Sequence, residues 1–175
     1  MAFQRHLLYA TVLCFFTFAS HGQSPAWNSL RYGKISLHYP PTWHVNKEAP
    51  HAGQSRLTLT PDSMQNLTMK IIEIYELTVS GDHTYARFKN DFASMLQSRS
   101  GMGTKVLKTE EISFKGHKTM YAETIQSSLP AKVYGINAGT EIYPIILIQR
   151  RYSNIPDPRL EQDEMAILNS ITIAQ

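Results

Sequence analysis

Cysteine is almost absent from this sequence of 175 residues, in which Cys14 is the only one. A single cysteine excludes an internal disulfide and a zinc site built from several thiolates. Cys14 lies in an apolar run near the N-terminus and follows the bulky Leu13, at a point where a lipoprotein signal needs a small residue. We therefore expect no lipidation, and we expect packing alone to stabilise the fold.

The sequence also lacks an apolar run of the length that anchors a chain in a membrane. The run LLYATVLCFFTFA follows Arg5 and has 13 residues, whereas a spanning helix needs roughly 20. A short apolar run behind a basic residue is typical of an export signal. We predict a signal peptide over residues 1–22, cut after Gly22, with a cut after Ala19 or retention as an anchor as alternatives. After cleavage we expect no stable membrane span.

The sequence also lacks a large excess of charge of either sign. Lysine and arginine together number 17, against 14 for aspartate and glutamate. Removal of the signal takes away Arg5 and leaves 16 against 14, a net charge of +2. Long blocks of like charge, which are typical of tails that bind nucleic acid or membrane surfaces, are missing. We expect no nucleic-acid partner.

Residues 23–175 contain no repeat, no low-complexity tract and no interdomain linker. About 150 residues are enough to build one hydrophobic core, so we predict a single domain over 23–175. An exported domain without disulfides fits a bacterial periplasm better than a cysteine-rich eukaryotic secretome. We therefore predict a periplasmic or secreted bacterial protein.

Two prolines interrupt the first strand pattern. After a lead over residues 24–33, to which no strand is assigned, residues 35–39 alternate apolar and polar side chains, as a half-buried strand does. Pro40 and Pro41 lack N–H groups and cannot continue a ladder, but they can begin a turn. The segment predicts a strand, a turn and a second short strand over 43–45.

The rest of the chain alternates strands with two helices. Residues 67–77 and 142–148 have apolar side chains at both odd- and even-numbered positions, which predicts central strands buried on both faces. The order predicts an α+β fold, an α-β-α sandwich with a central antiparallel sheet of about six or seven strands and two main helices. Further strands are predicted at 57–59, 105–114, 118–126 and 131–138, helices at 85–96 and 158–169, and a short strand or helix tail at 171–173.

Several segments together resemble a known group. They are YGKISLHYPPTWHV (32–45), TYARFKNDF (84–92), EEISFKGHKTMYAE (110–123) and ILNSITI (167–173). The chain resembles the PsbP-like group, which also includes Mog-type Ran-binding proteins and bacterial DcrB-like proteins. The resemblance implies an α-β-α sandwich that functions as an accessory or binding module, without catalysis or cofactor. It implies a protein partner, and the export signal points to one in the envelope.

Three histidines are the metal candidates of the sequence. His38, His44 and His51 fall within 14 residues, and histidine is a common ligand of transition metals. Their spacings of six and seven are not those of a helical or zinc-hairpin pair. We expect solvent-facing histidines and no bound metal.

Other polar motifs predict caps, loops and surface ion pairs. Asp82 or Thr84 is available to cap the helix that follows; we expect Asp82 to do so, and the adjacent His83 diverges from it. Glu110 and Glu111 face opposite sides of one strand, which favours solvated or ion-paired roles over acid–base work. The GMG at 101–103 follows a helix, which is the wrong context for phosphate binding. The sequon at 66–68 is expected to be unused in a bacterium.

The predicted partner surface lies at the end of the apolar segment 142–148. Arg150, Arg151 and Tyr152 follow it, and arginine and tyrosine are over-represented at binding hot spots. We therefore predict an exported adaptor that binds an envelope protein. A carrier with an apolar ligand between sheet and helix, and a hydrolase uniting His44 or His83 with a carboxylate, are the alternatives.

Overall fold

The computed structural model describes residues 26–51, 54–62, 69–78, 84–99, 104–126, 128–139, 142–151 and 157–174. Ten strands and two helices lie within these ranges. The strands are β1 (Asn28–Tyr32), β2 (Ile35–Tyr39), β3 (Trp43–His51), β4 (Gln54–Pro61), β5 (Met69–Thr78), β6 (Lys105–Phe114), β7 (His117–Gln126), β8 (Leu129–Ile136), β9 (Ile142–Arg151) and β10 (Thr172–Ile173), and the helices are α1 (Tyr85–Arg99) and α2 (Pro158–Ser170).

The strands form two antiparallel sheets. The larger has seven strands in the order β3-β4-β5-β9-β8-β7-β6, and the smaller has the order β1-β2-β10. The predicted α+β class, the antiparallel central sheet of six or seven strands and the two main helices are confirmed. The three-stranded sheet was not predicted, because its outer strand β1 lies in the lead, where the alternation is short: Leu30 and Tyr32 are its apolar positions.

Pro40 and Pro41 lie where the chain passes from one sheet to the other. β2 belongs to the small sheet, whereas β3 is an edge strand of the large one. Between them, the N–H of Trp43 donates to the carbonyl of Pro40 at 3.0 Å, which closes a turn. Because the prolines cannot donate to a ladder, β2 ends here and the chain is free to change sheets.

The large sheet is covered on both faces, which explains why β5 and β9 are apolar on both parities. On one face Ile72, Ile74 and Ile146 pack among buried residues of α2 and the small sheet. On the other face β5 and β9 pack against α1; the core residues on this side are Leu77, Phe88, Phe92, Leu96, Met120, Ala122, Val133, Tyr143, Ile145 and Leu147.

Gly135 allows α1 to approach β8 closely. A Cβ atom at this position would lie 2.6 Å from Cζ of Phe88 and 2.7 Å from Cε2 of Phe92. The missing side chain leaves room for both rings. Phe88 also stacks on Tyr143 of β9, with ring centroids 4.1 Å apart and planes at 8°. The aromatic positions of the predicted helix 85–96 thus form the core on this side.

α2 begins at the predicted cap. The Asp157 side chain accepts from the N–H groups of Arg159 and Leu160, and Pro158 occupies the first turn. These features satisfy donors that an open helix start leaves without partners. None of the helices in the described ranges has the length and apolarity needed to cross a membrane.

Candidate functional site

The predicted histidines do not meet in the described part of the chain. His38 lies on β2 of the small sheet and His44 on β3 of the large one. The His44 Nε2 atom lies 3.0 Å from Oδ1 of Asp62, with the His44 side chain 74% exposed. The backbone of His51 ends β3, and its side chain lies outside the described residues. No group of three or more potential metal ligands occurs among the side chains that the structure describes.

A serine–histidine pair that the sequence analysis did not predict lies on the small sheet. Ser29 and His38 face each other across β1 and β2, with Ser29 Oγ 3.0 Å from His38 Nδ1. Nucleophilic catalysis by such a pair also needs a group that orients the imidazole and an oxyanion site. Within the described ranges the His38 side chain has no carboxylate partner, and the pair is exposed. It is an ordinary cross-strand contact.

Other predicted residues take surface roles or lie outside the described ranges. Glu110 accepts from Lys108 at 2.7 Å, and Glu111 pairs with Lys89 of α1 at 3.0 Å, so both glutamates have the ion-paired role expected of them. Residues 82–83, 101–103 and 66–68 lie outside the described residues, and the predictions for them remain predictions.

The predicted partner surface is described only in its backbone. Arg150 and Arg151 end β9, where they lie opposite Lys70 and Met69 of β5 in the ladder. The side chains of both arginines, and all of Tyr152, lie outside the described residues. The register nevertheless places this strand end beside Lys70, which belongs to the cleft described next.

The candidate site is a cleft between α2 and the large sheet, which we call the α2 cleft. Its volume is about 250 Å³. The sheet contributes residues from five neighbouring strands, in the order β5, β9, β8, β7 and β6, and α2 supplies one wall. The residues that line it are Lys70, Leu107, Glu123, Thr124, Pro130, Ala131, Lys132, Ile148, Glu161 and Glu164. It therefore combines an apolar floor and rim with five charged side chains.

Lys70 and Glu164 form a buried ion pair at the base of the α2 cleft. The Lys70 Nζ atom contacts Oε2 of Glu164, and the two side chains are 5% and 2% exposed. Lys70 Nζ also lies 2.5 Å from Oε2 of Glu161. Burial of a charge is costly unless it is paired and hydrogen-bonded, and here each charge has a partner. The network holds α2 against β5.

Local sequence explains why these two charges meet. Lys70 shares its parity on β5 with Ile72 and Ile74, so its side chain lies on the α2 face of the sheet. Glu164 lies on the buried side of α2 together with Leu160 and other apolar residues. Neither residue is among the sites predicted from the sequence. The available signal was a lysine and a glutamate, each on an otherwise apolar face.

Lys132 and Glu123 extend the charged part of the cleft toward solvent. Lys132 Nζ donates to Oε1 of Glu164 at 3.3 Å, with 48% of the Lys132 side chain exposed. Glu123 lies opposite Lys132 in the β7–β8 ladder and accepts from the Tyr121 hydroxyl at 3.1 Å. Burial, then the hydrogen bond to Glu123, raises the pKa of Tyr121 well above its usual range. The tyrosine therefore stays a hydrogen-bond donor even above the pH at which a free tyrosine loses its proton.

Leu107 forms an exposed apolar rim. The register of β6 and β7 shifts between Val106 and Lys108, so Leu107 is the extra residue of a bulge. Its side chain is 53% exposed and is among the large apolar side chains that the structure leaves open to solvent. The cleft thus offers apolar surface beside charged groups, an arrangement suited to binding.

Comparison with known proteins identifies the architecture. No family model matches the sequence, and no curated protein matches it. CyanoP, the cyanobacterial PsbP of Synechocystis sp. PCC 6803, matches with a TM-score of 0.57 and 9% identity, over 88% of this chain and 97% of CyanoP. LpqN of Mycobacterium tuberculosis, which is involved in cell envelope biogenesis, matches with a TM-score of 0.46 and 13% identity, over 89% and 88% of the two chains.

A Pseudomonas aeruginosa protein of unknown function matches with a TM-score of 0.46 and 16% identity, over 80% of this chain and 90% of its own. At such identities a likeness concerns the fold, and proteins that share a fold differ widely in function. Together with the two-sheet, two-helix architecture, the match to CyanoP confirms the resemblance derived from the sequence motifs: this chain has the PsbP-like fold.

Proposed function

We propose that this chain is an exported accessory protein that binds another protein of the cell envelope and performs no chemistry itself. The observation that supports it best is the α2 cleft. The charged side chains inside the cleft form ion pairs with one another, which keeps the shape of the cleft fixed. Leu107 at its rim is 53% exposed. Exposed apolar side chains bordered by polar groups are typical of interaction sites.

The register of β5 and β9 adds support. Arg150, part of the predicted partner surface, lies opposite Lys70 in the ladder, and Lys70 lines the α2 cleft. Two features proposed on different grounds therefore lie at the same end of the sheet. Export itself rests on the predicted signal peptide over residues 1–22. Mass spectrometry of the mature N-terminus tests it, since Gln23 or Ser20 would be first after the predicted cuts.

Site-specific photocrosslinking in the native host tests the binding proposal. A photoreactive phenylalanine replaces Leu107 at the cleft or, as a matched control, Asn90, which is exposed on α1 across the sheet. We expect one envelope protein to be captured from position 107 and not from position 90. We also expect Arg150→Ala with Arg151→Ala to reduce the yield. No product, or equal capture from both positions, would refute the proposal.

A small-molecule carrier is the second candidate, because the α2 cleft lies between sheet and helix, where a carrier would hold its ligand. An apolar ligand fits poorly, since five of the lining residues are charged. Native mass spectrometry of the purified protein decides: a co-purifying apolar molecule would favour the carrier. The hydrolase alternative required His44 or His83 beside a carboxylate. His44 does lie 3.0 Å from Asp62, but its side chain is 74% exposed and the pair does not line the α2 cleft. The Ser29–His38 pair does not line it either, and His83 lies outside the described residues.

A further inference from the structure

We propose that the partner protein adds an extended segment, as a further β-strand, to the open edge of β6. This inference rests on the proposed function and names the mode of contact. β6 is the last strand of the large sheet, where β7 is its neighbour on one side. The bulge of β6 carries the exposed Leu107 at the rim of the α2 cleft, so the edge and the candidate site are continuous.

The hairpin of β6 and β7 determines which backbone groups of β6 are open. A tight turn joins the two strands, and Phe114 and His117 pair across it. Residues in an antiparallel ladder bond to the neighbouring strand at alternate positions, so Phe114, Ile112 and Glu110 bond to β7. The residues that direct their N–H and C=O groups away from β7 are Thr109, Glu111 and Ser113.

The ladder between β7 and β8 has the matching phase. The N–H of Asn137, directly after β8, donates to the C=O of Lys118, so even-numbered residues of β7 bond to β8 and odd-numbered ones to β6. Within the described ranges, no group bonds the N–H or C=O of Thr109, Glu111 or Ser113. Open donors and acceptors that alternate along a strand match an extended backbone, and peptides bind to exposed sheet edges in this way.

The side chains beside the open edge indicate the chemistry of the added strand. Ile112 and Phe114 are half-buried, and Phe114 packs on Tyr134 on the α2 face of the sheet, with ring centroids 5.2 Å apart. Ile112 shares that face, because it lies two positions away. Apolar side chains on this face of the added strand would cover what both residues leave exposed, whereas Glu111 and Ser113 on the other face favour polar ones. The partner segment therefore alternates apolar and polar residues.

β6 suits an added strand better than β3, the opposite edge of the large sheet. The bulge at Leu107 interrupts the β6 ladder and leaves the regular stretch Lys108–Phe114 for pairing. On β3 the N–H of Trp43 already donates to Pro40, and the register shifts after Glu48. The regular part of β3 with open groups is therefore shorter.

A second copy of the chain is a poor occupant of this edge. Two antiparallel β6 strands related by a twofold axis align the whole stretch Lys108–Phe114 only when the two Glu111 residues lie directly opposite each other. Like charges in that position destabilise a strand pair. The same register sets Glu110 opposite Ile112, so a charged side chain would face an apolar one on the α2 face. A partner with a different sequence avoids both conflicts.

Amide hydrogen exchange of the mature chain, followed by NMR, tests whether the edge is open. We expect fast exchange at Thr109, Glu111 and Ser113 and slow exchange at Glu110 and Ile112, whose N–H groups bond to β7. Slow exchange at all of these residues in a monomer would mean that another part of the chain covers the edge. Slow exchange that appears together with a dimer as the concentration rises would mean that a second copy does. Either result would overturn the inference.

Ser113→Pro tests whether the partner uses the edge. Residue 113 directs its N–H away from β7, so proline removes one open donor but no hydrogen bond of the hairpin. In the photocrosslinking experiment from position 107, we expect Ser113→Pro to lower the yield about fivefold, as loss of one backbone hydrogen bond does. Ser113→Ala keeps the N–H and should capture the partner as the wild-type chain does. Thr109→Pro replaces Ser113→Pro if circular dichroism shows that the latter is unfolded.

The outcomes separate this inference from the proposed function. If position 107 captures a partner and the folded proline variant captures it equally well, the proposed function stands and this inference is wrong. If Ser113→Ala lowers the yield as much as Ser113→Pro does, the partner contacts the serine side chain and not the backbone edge, and the inference is again wrong. If position 107 captures nothing in the chain without these substitutions, the proposed function is refuted and this inference with it.

Discussion

Lys70 and Glu164 form an ion pair in which both side chains are almost fully buried, at 5% and 2% exposure. The pair joins β5 to α2 across 94 positions of sequence and forms the base of the α2 cleft. Either charge alone would be buried at high cost, so each residue requires the other. Stability and the shape of the candidate site therefore depend on the same contact.

Glu164→Gln should lower the free energy of unfolding by about 1–3 kcal/mol, because the buried Lys70 ammonium loses its most buried partner but keeps its contact with Glu161. Urea unfolding at neutral pH measures the change. The double variant Lys70→Met, Glu164→Leu should recover most of the loss, since an apolar pair removes both desolvated charges.

Lys89→Met is the matched control for that prediction. Lys89 and Glu111 also form an ion pair between helix and strand, but their side chains are 50% and 36% exposed. Loss of an exposed pair costs below about 1 kcal/mol. If Glu164→Gln lowers the free energy of unfolding by no more than Lys89→Met does, the buried pair stabilises the protein no more than an exposed pair.

Gly135→Ala should destabilise the protein by about 1–3 kcal/mol through overpacking. The added methyl group would meet the rings of Phe88 and Phe92 at 2.6 and 2.7 Å, and one face of α1 would have to move away from β8. Thermal unfolding measures the loss, and near-ultraviolet circular dichroism should report the displaced rings. Adding Phe92→Leu should restore part of the stability, and failure to do so would contradict this packing explanation.

Gly33→Ala should lower the free energy of unfolding by more than Gly116→Ala does. Both glycines have positive φ, +54° and +80°, where alanine is strained by about 1–2 kcal/mol. A Cβ at Gly116 meets nothing within 4 Å, whereas one at Gly33 meets the Glu76 carboxylate, which accepts from the Lys34 N–H at 2.9 Å. Paired denaturant curves give both values, and equal losses would show that the Glu76 contact contributes nothing.

The stability of the protein should fall as pH rises above the range where free tyrosine titrates. Burial, and then the negative charge of Glu111, raises the pKa of Tyr85 from 10.0 to about 12. Between these values the folded chain keeps a proton that the unfolded chain has lost. The contribution of Tyr85 is therefore complete below about pH 10 and is lost as pH rises through about 12.

Tyr85→Phe isolates that contribution. Urea unfolding at about pH 9 and about pH 11 should show a smaller loss of stability with pH in the variant than in the wild-type chain. Deprotonation of lysines affects both proteins alike, so the difference between their slopes belongs to Tyr85. Identical slopes would contradict the raised pKa.

Local patterns predicted much of the fold. Strands predicted at 105–114 and 118–126 are β6 and β7 to within a residue, because Gly116 adopts the positive φ that a tight hairpin needs. The helix start predicted from Asp157 and Pro158 is confirmed, because capping depends on adjacent residues alone. The missed strand β1 (Asn28–Tyr32) is held mainly by its ladder with β2, a partner that its own residues do not specify.

The candidate site was not predicted, although its signals were present. A lysine among isoleucines in β5 and a glutamate on the apolar side of α2 each suggested a buried charge, but only their contact shows that the two belong together. The histidines were prominent in the sequence because they are close together in it. The structure separates His38 and His44 into different sheets, since the turn at Pro40 and Pro41 moves the chain from one sheet to the other.

The sequence by itself determined the fold class, the positions of most strands and helices and the doubly covered centre of the sheet, because period, caps and turns are local properties of the chain. The tertiary structure alone decided the order of the strands, the second sheet and the α2 cleft. These depend on contacts between segments far apart in sequence, and the meeting of Lys70 with Glu164 across 94 positions is the clearest of them.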